Sequence, residues 1–522
     1  MPVIYEHRSL PAPASGPVSL YSNPYNEAVA YLQGNTSGNG VENATTRAEL
    51  SRYDAVVLQW KWPAAQSLET TYMAQLRSAH PHLKIMMYCD CRFVTDGDYG
   101  GGGTTTIVRT IIDSAGAPAR WKAENVANDW LSHRFNFGSC RASNPTDITG
   151  TNSASDTFAV AFIKQLETYF QLSLYDGVMF DDVNMIGNNL SLYGVNADIN
   201  WDYLNNGTAP NYLSDAAAKT AFAAGQEYLI NTVYRSRHPG KLVDRNTDPA
   251  YWYRQTEANG CPVRPFSAHP YHESDDVAIC EGLFSFTGGF AVFGRTDDVY
   301  PFQSYFNTPD MFLAFEYYRQ ISRSAATNIM GRKVAFAHGN LAIGDAGSPS
   351  ARTYAFARAC WAIGKLADGG YATSRSGSRT FPIDELCIDF GGAPTTTVTM
   401  LATFDQTTAP VTYSLREANA TVGAGQIYWV EYPNSIVFCR LDIDGITRGS
   451  SNFGDGSSVT FNLPSAGTGF RWDRYNAATF VHPTVSRLSM QSQDTAFNSG
   501  ATNVTTVSLL PLHGGAFRRV AV

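Results

Sequence analysis

Short apolar runs, rich in β-branched and aromatic residues, alternate along most of this chain with longer segments of helical period. That alternation is the pattern of repeated βα units around a parallel sheet. The candidate strands are Val18–Tyr21, Tyr53–Gln59, Lys84–Cys89, Gly177–Asp181, Leu242–Asn246, Ile279–Phe284, Lys333–His338 and a short run at Gly370–Thr373. Eight strands are what a closed (β/α)8 barrel requires. Between them, helices are expected over Ser67–Ser78, Thr105–Ala115, Asp156–Gln171, Ser214–Arg235, Pro309–Asn328 and Ser350–Ala367. Pro239-Gly240 and Gly369-Gly370 stand where two of these must stop. Long loops follow Cys91, Asp182 and Phe284, on the C-terminal side of their strands, where a barrel carries its function.

The pattern changes after Phe381-Pro382. Thr396–Phe404, Val411–Leu415, Ile427–Val430, Ser435–Leu441, Ser458–Leu463 and Val504–Leu509 read as strands separated by Gly, Asn, Ser and Pro turns, with no long helix among them. The expected fold class is therefore α/β: a (β/α)8 TIM barrel over residues 1–385, followed by a C-terminal all-β sandwich over residues 386–522. A length of 522 residues fits that division.

Composition narrows the partners. Charged residues make up 16% of the chain and the net charge is −8, with no Lys/Arg run, so a nucleic-acid partner is not expected. No stretch approaches the roughly 20 apolar residues of a membrane span, and the start of the chain lacks the basic and apolar regions of a secretory signal. The polar character comes mainly from Ser, Thr, Asn, Gly and Tyr, as in proteins that work outside a cell. A bacteriophage particle protein, released by lysis and needing no leader, reconciles the two, and a leaderless cytoplasmic enzyme is the alternative. Virion proteins or further copies of the chain are the possible protein partners. The eight cysteines are scattered, several inside apolar runs, and are expected to pack as buried thiols.

Candidate chemistry lies at strand ends. Tyr175-Asp176-Gly177-Val178-Met179-Phe180-Asp181-Asp182 is an apolar strand ending abruptly in two carboxylates. Glycoside cleavage needs two carboxyl groups about one bond, one ionised and one protonated, and barrel strand ends can supply both. Glu281, a lone charge in Ile279-Cys280-Glu281-Gly282-Leu283-Phe284, is the second candidate, and Asp90, after Tyr88-Cys89, competes with it. A saccharide cleft also wants aromatic platforms and planar hydrogen-bonding groups. Trp60, Trp62, Arg92, Asp244, Asn246, His338 and Asn340 suit those roles, as do Trp130, His133 and Arg134 in the long loop after Cys91. His269-Pro270-Tyr271-His272-Glu273 has the composition of a metal site, but its proline rules out a regular His-bearing helix face. Neither a metal nor a cofactor is expected.

These residues resemble those of the barrel hydrolases grouped as "hypothetical glycosyl hydrolase 15", which are distinct from the glucoamylases. The resemblance is carried by Asp176–Asp181, Trp130-Leu131, Glu281-Gly282, Ile388-Asp389-Phe390-Gly391-Gly392-Ala393-Pro394 and the closing Leu509–Ala516. It implies a glycosidase acting on a polysaccharide or glycan, with Asp181 and Glu281 as the catalytic pair and the closing segment as the last strand of the β-domain. A different class of function fits the same fold, a catalytically silent barrel that binds glycan or builds part of a phage tail or spike.

Overall fold

The computed structural model describes residues 26–33, 41, 43–59, 66–90, 93–95, 124–125, 132–135, 138–142, 158–168, 171–181, 199–200, 228–246, 277–285, 334–340, 351–366, 370–374, 383–395, 398–401, 410–413, 416–417, 427–440, 458–480, 496–510 and 513–522. Eight parallel strands close into a ring: β1 (Ala28–Gln33), β2 (Ala55–Gln59), β3 (Lys84–Asp90), β4 (Gly177–Asp181), β5 (Leu242–Asn246), β6 (Val277–Ser285), β7 (Val334–Asn340) and β8 (Gly370–Ser374). Each pairs with its neighbours in chain order, and β8 closes on β1. Followed once round through the pairs Val29–Ala55, Ala55–Lys84, Met86–Gly177, Leu242–Gly177, Asp244–Val277, Val277–Val334, Phe336–Gly370 and Ala28–Tyr371, the register returns to β1 eight residues from its start. A shear of eight on eight strands is the TIM-barrel geometry, whose interior is filled by side chains.

Seven of the eight expected strands are in the ring, and the first is not. Val18–Tyr21 lies outside the described residues, and Ala28–Gln33 takes the first place. Its small residues, Ala28 and Ala30, carry little strand propensity, but both are wholly buried in a run that needs no alternation because both faces of a barrel strand are covered.

Two strands enter the ring by the same device. A 3-10 turn (Leu50–Arg52, Leu172–Leu174) is followed by a Tyr-Asp step (Tyr53-Asp54, Tyr175-Asp176) whose tyrosine N–H donates back to the first residue of the turn at 3.1 Å. The aspartate carboxylate then accepts the backbone N–H of the preceding strand, Asp54 from Ala28 at 2.9 Å and Asp176 from Ile85 at 2.8 Å. Its own carbonyl accepts from the strand on the other side, Lys84 or Leu242, at 2.8 Å. The backbone groups at the start of each ladder are thus satisfied without water.

The helices show their burial in their sequence. In α3 (Phe158–Thr168) the buried Ala159, Phe162, Ile163 and Leu166 recur at helical spacing and make one apolar stripe. A π-helical turn, Tyr228–Tyr234, runs into Arg235–Arg237. Arg237 forks onto both oxygens of Glu167 on α3 at 2.8 and 2.6 Å, and His238 meets the same carboxylate at 2.8 Å. The shorter α1 (Ala44–Glu49) is capped by Asn43, and α2 is Gln66–Ala79. Among the described residues no helix is long and apolar enough to cross a membrane. The expected Thr105–Ala115 and Pro309–Asn328 helices lie outside the described residues.

Helix α4 (Ala351–Leu366) is different: every residue from Ala357 to Leu366 is buried. A helix buried all round must be covered on both sides, and α4 lies between β7 and β8 of the barrel and the C-terminal sheet. That sheet is antiparallel and five-stranded, with β13 (Ser435–Arg440) at its centre between β12 (Ile427–Glu431) and β17 (Gly514–Ala521); β11 (Arg416–Glu417) and β15 (Phe470–Arg474) are the edges. Ile436 and Phe438 join Phe461, Val507, Leu509, Trp472 and Phe517 in the core shared with the β14–β16 pair (Val459–Asn462, Thr506–Leu509). This makes a sandwich, with the separate β9–β10 pair (Val398–Leu401, Pro410–Tyr413) preceding it. On the other side of the five-stranded sheet the helix comes so close that a Cβ on Gly514 would lie 2.9 Å from the Ala362 methyl. Cys360, Cys439, Cys89 and Cys387 are buried thiols outside any disulfide, and burial holds the first two well above the ordinary thiol range, so they pack as small hydrophobes.

Candidate active site at the strand ends

Every strand of the ring ends on a polar residue: Gln33, Gln59, Asp90, Asp181, Asn246, Ser285, Asn340 and Ser374. The strands start instead on Ala28, Ala55, Lys84, Gly177, Leu242, Val277, Val334 and Gly370, of which only Lys84 is polar. The C-terminal mouth is therefore the end of the barrel at which every strand carries a polar residue, and it is the end that holds the site in barrel enzymes generally.

Register groups these ends. Asp90 pairs with Asp181, Gln33 with Gln59, and Asn340 with both Ser285 and Ser374. Asn246 pairs with Ile279 and adjoins the Arg245–Phe180 pair, so it stands next to Asp181 on the other side from Asp90. Asp90, Asp181 and Asn246 thus form a run across three neighbouring strands, about one strand spacing of 4.8 Å apart each. Glu281 lies two residues beyond Ile279 and two strands from Asp181, at the point where the β6–β7 register shifts between Cys280 and Phe284. Bulges of this kind re-aim a strand and are common beside functional sites. His338 is in β7, paired with Ala372.

The face follows from the strand period of two. Phe180 meets the Tyr234 ring edge-on at 5.3 Å, so Val178 and Phe180 take the side of the flanking helical turn. Gly177 and Met179 belong to the opposite, axial face, which register carries across to Asp244 through its pairing with Met179. Asp244 is fully buried there, directly below the level of Asp181 and Asn246. A buried carboxylate at that depth requires hydrogen-bond donors around it, since desolvation is otherwise prohibitive. Among the described residues no group of His, Cys, Asp and Glu is set to hold a metal ion.

Of the residues singled out from sequence, Asp90, Asp181, Asp244, Asn246, Glu281, His338 and Asn340 all lie on ring strands. Asp182, Trp60, Trp62, Arg92 and Trp130 lie outside the described residues, as does the His269–Glu273 segment. Sequence reading passed over Gln33, Ser285 and Ser374. Gln33 was hidden by the misassigned first strand; the other two are short polar residues at the end of apolar runs, a signal legible only once all eight ends are aligned.

No family model and no curated protein matches the chain. Among solved structures it is similar to an α-amylase from Lactobacillus plantarum, at a TM-score of 0.47 and 8% identity over 95% of this chain and 99% of that one. It is also similar to isomaltulose synthase from Erwinia rhapontici NX5, at 0.45 and 9% over 97% and 100%. A third is trehalose-6-phosphate hydrolase from Bacillus licheniformis, at 0.44 and 9% over 95% and 100%.

Proposed function

We propose that this chain is a glycoside hydrolase that cleaves a polysaccharide or glycan with carboxylates at the C-terminal mouth of its barrel. The observation that carries the reading is the pairing of Asp90 with Asp181 within a complete ring of polar strand ends, with Glu281 two strands further on. Breaking a glycosidic bond calls for a proton delivered to the leaving oxygen and a negative group, or an activated water, facing the anomeric carbon. Asp181, ionised, acts as nucleophile or as general base. Glu281, protonated, is the general acid and gives its proton to the departing sugar oxygen. Asp90 and Asp182 orient the sugar or the attacking water. Asn246, His338 and Asn340 bond sugar hydroxyls, Asp244 supports them from below, Trp60 and Trp62 stack on sugar faces, and Arg92 supplies a planar fork.

Digestion of a polysaccharide panel, read by mass spectrometry of the released oligosaccharides, identifies the substrate. On that substrate Asp181→Asn and Glu281→Gln are each expected to slow release roughly 10²-fold or more, the usual size of a lost acid or base. Full activity in either variant removes that residue from the mechanism.

A further inference from the structure

Register fixes heights along the barrel as well as neighbours. The walk round the ring from Val29 comes back to β1 eight residues earlier, so each step to the next strand lowers the partner by one residue. Positions in phase with Met179 that share one height therefore come from alternate strands. Asp181 shares its level with Gln59, Glu281 and Ser374, on the even-numbered strands. One level down, about 3 Å deeper, the odd-numbered strands place Tyr31, Tyr88, Asn246 and His338. Below these come Val57, Met179, Ile279 and Ala372, then Val29, Met86, Asp244 and Phe336.

Barrel layers are ordinarily filled by branched apolar residues. The two lower levels are apolar except at Asp244, whereas the level directly beneath Asp181 and Glu281 is polar at all four positions. Burial locates the boundary between core and mouth. Val57, Met179, Val29, Met86 and Asp244 are all buried. Tyr88, placed on the axial face by its pairing with Met179, is half-buried, although Met87 and Cys89 on either side of it are buried. Solvent therefore reaches the axial face down to Tyr88 and stops at Met179. Backbone borders this side of the mouth: the loop after Asp90 forms a three-stranded antiparallel sheet (Phe93–Thr95, Ser132–Phe135, Gly138–Ala142), and the pair Glu124–Asn125 with Ile199–Asn200 ties it to the loop after Asp181. A recess with a packed base, a phenol above it and acids on the next level suits a sugar ring. The tyrosine ring offers an apolar face, and its hydroxyl both donates and accepts, as sugar hydroxyls do.

We propose that Tyr88 is the floor of the sugar pocket, its phenol hydroxyl hydrogen-bonding a hydroxyl of the sugar unit whose glycosidic bond is cut. This rests on the reading of the barrel mouth as a saccharide site and adds to it a substrate-binding residue one level below the acids.

The test uses the full chain with soluble starch, dextran, xylan, polygalacturonate and chitin oligosaccharides, read for cleavage by mass spectrometry and for binding by calorimetry of the Asp181→Asn variant. On the glycan that is cleaved, Tyr88→Phe is expected to keep the melting profile and to lower kcat/KM roughly three- to tenfold, the size of one hydrogen bond to an uncharged group. Monodeoxy versions of the sugar at the cleaved bond then separate contact from support. Removing the hydroxyl that meets Tyr88 should slow the parent by about that same factor and slow Tyr88→Phe no further, because the two changes delete one interaction. A second measurement needs no substitution at Tyr88: nitration by tetranitromethane, mapped on peptides, should modify Tyr88 in the free Asp181→Asn chain and spare it when the glycan is bound. Unchanged kinetics in Tyr88→Phe, an equal loss on every deoxy analogue, or nitration that the glycan does not prevent overturns the proposal and leaves the hydrolase reading intact. A glycan that is bound but never cleaved, and bound more weakly by Tyr88→Phe, overturns the hydrolase reading and leaves the contact standing. Neither cleavage nor binding of any probe overturns both.

Discussion

Gly177 opens β4, and a Cβ built on it would lie 2.4 Å from the Leu242 carbonyl oxygen and 2.6 Å from the Leu242 Cβ. Backbone occupies that space, so the added methyl of Gly177→Ala must push β5 away from β4. We expect a loss of about 1–3 kcal/mol in chemical denaturation, the usual cost of overpacking; an unchanged midpoint would mean the two strands separate freely. Protonation at two histidines gives a second residue-scale prediction. Burial lowers His82 and His238 below the ordinary value of 6.5, in His238 despite the Glu167 carboxylate at 2.8 Å. With folded values depressed, the unfolded chain takes up these protons first. The stability these two histidines contribute is therefore fully present above about pH 6.5 and is lost as the pH drops from there toward the folded values. Denaturation midpoints at pH 7.5 and 5.5 check this, and His82→Gln should flatten the dependence.

Among the elements, the repeated Tyr-Asp entry to β2 and β4 allows a comparison within one molecule. Asp54 and Asp176 each accept a strand N–H, but Asp54 is 3% exposed, while Asp176 is partly exposed and is joined by Arg77 at 3.0 Å, itself 40% exposed. Removing a buried acceptor strands its donor, whereas at a wetter site water replaces it. Asp54→Ala should therefore cost about 1–3 kcal/mol and Asp176→Ala less, with the order read from urea denaturation. The reverse order would show that Arg77, which also donates to the Leu174 carbonyl at 2.7 Å, holds the β4 entry through Asp176.

For the whole molecule, the decisive contact is the seam between barrel and sandwich. Asn26, just before β1, donates to the Glu385 and Ile388 carbonyls at 2.8 and 2.9 Å and accepts from the Trp361 indole at 2.9 Å. The Glu385 carboxylate accepts from Arg358 on α4 at 2.8 Å and from Asn498 of the sandwich at 3.0 Å, and Arg358 lies over the Phe497 ring. Phe390 stacks between Trp361 and Tyr432, whose hydroxyl donates to the Lys365 carbonyl. The start of the barrel, its last helix and the second domain are thus fastened in one buried network. Calorimetry of the full chain should show one cooperative transition. Arg358→Met, which leaves the Glu385 charge buried without its cation, should lower that transition by the equivalent of about 3–5 kcal/mol. Two well-separated transitions, only one of them shifted, would show that the domains unfold independently.

The sequence by itself determined the succession of βα units, seven of the eight ring strands, the switch to an all-β second part and the presence of acids at strand ends, because burial on two faces leaves continuous apolar runs and their abrupt polar ends are local signals. It could not find β1, whose alanines count as strand only when neighbours cover them, nor β15 and β17 by pattern, since Arg471, Asp473, Arg518 and Arg519 interrupt the apolar run and are accommodated through their own ion pairs. Tertiary structure alone decided the register that sets Asp90 beside Asp181, the two-strand step to Glu281 and the burial of Asp244 beneath them. The reason is physical: pairing between strands distant in the chain is fixed by ring closure and shear, which are properties of all eight strands together and of none alone.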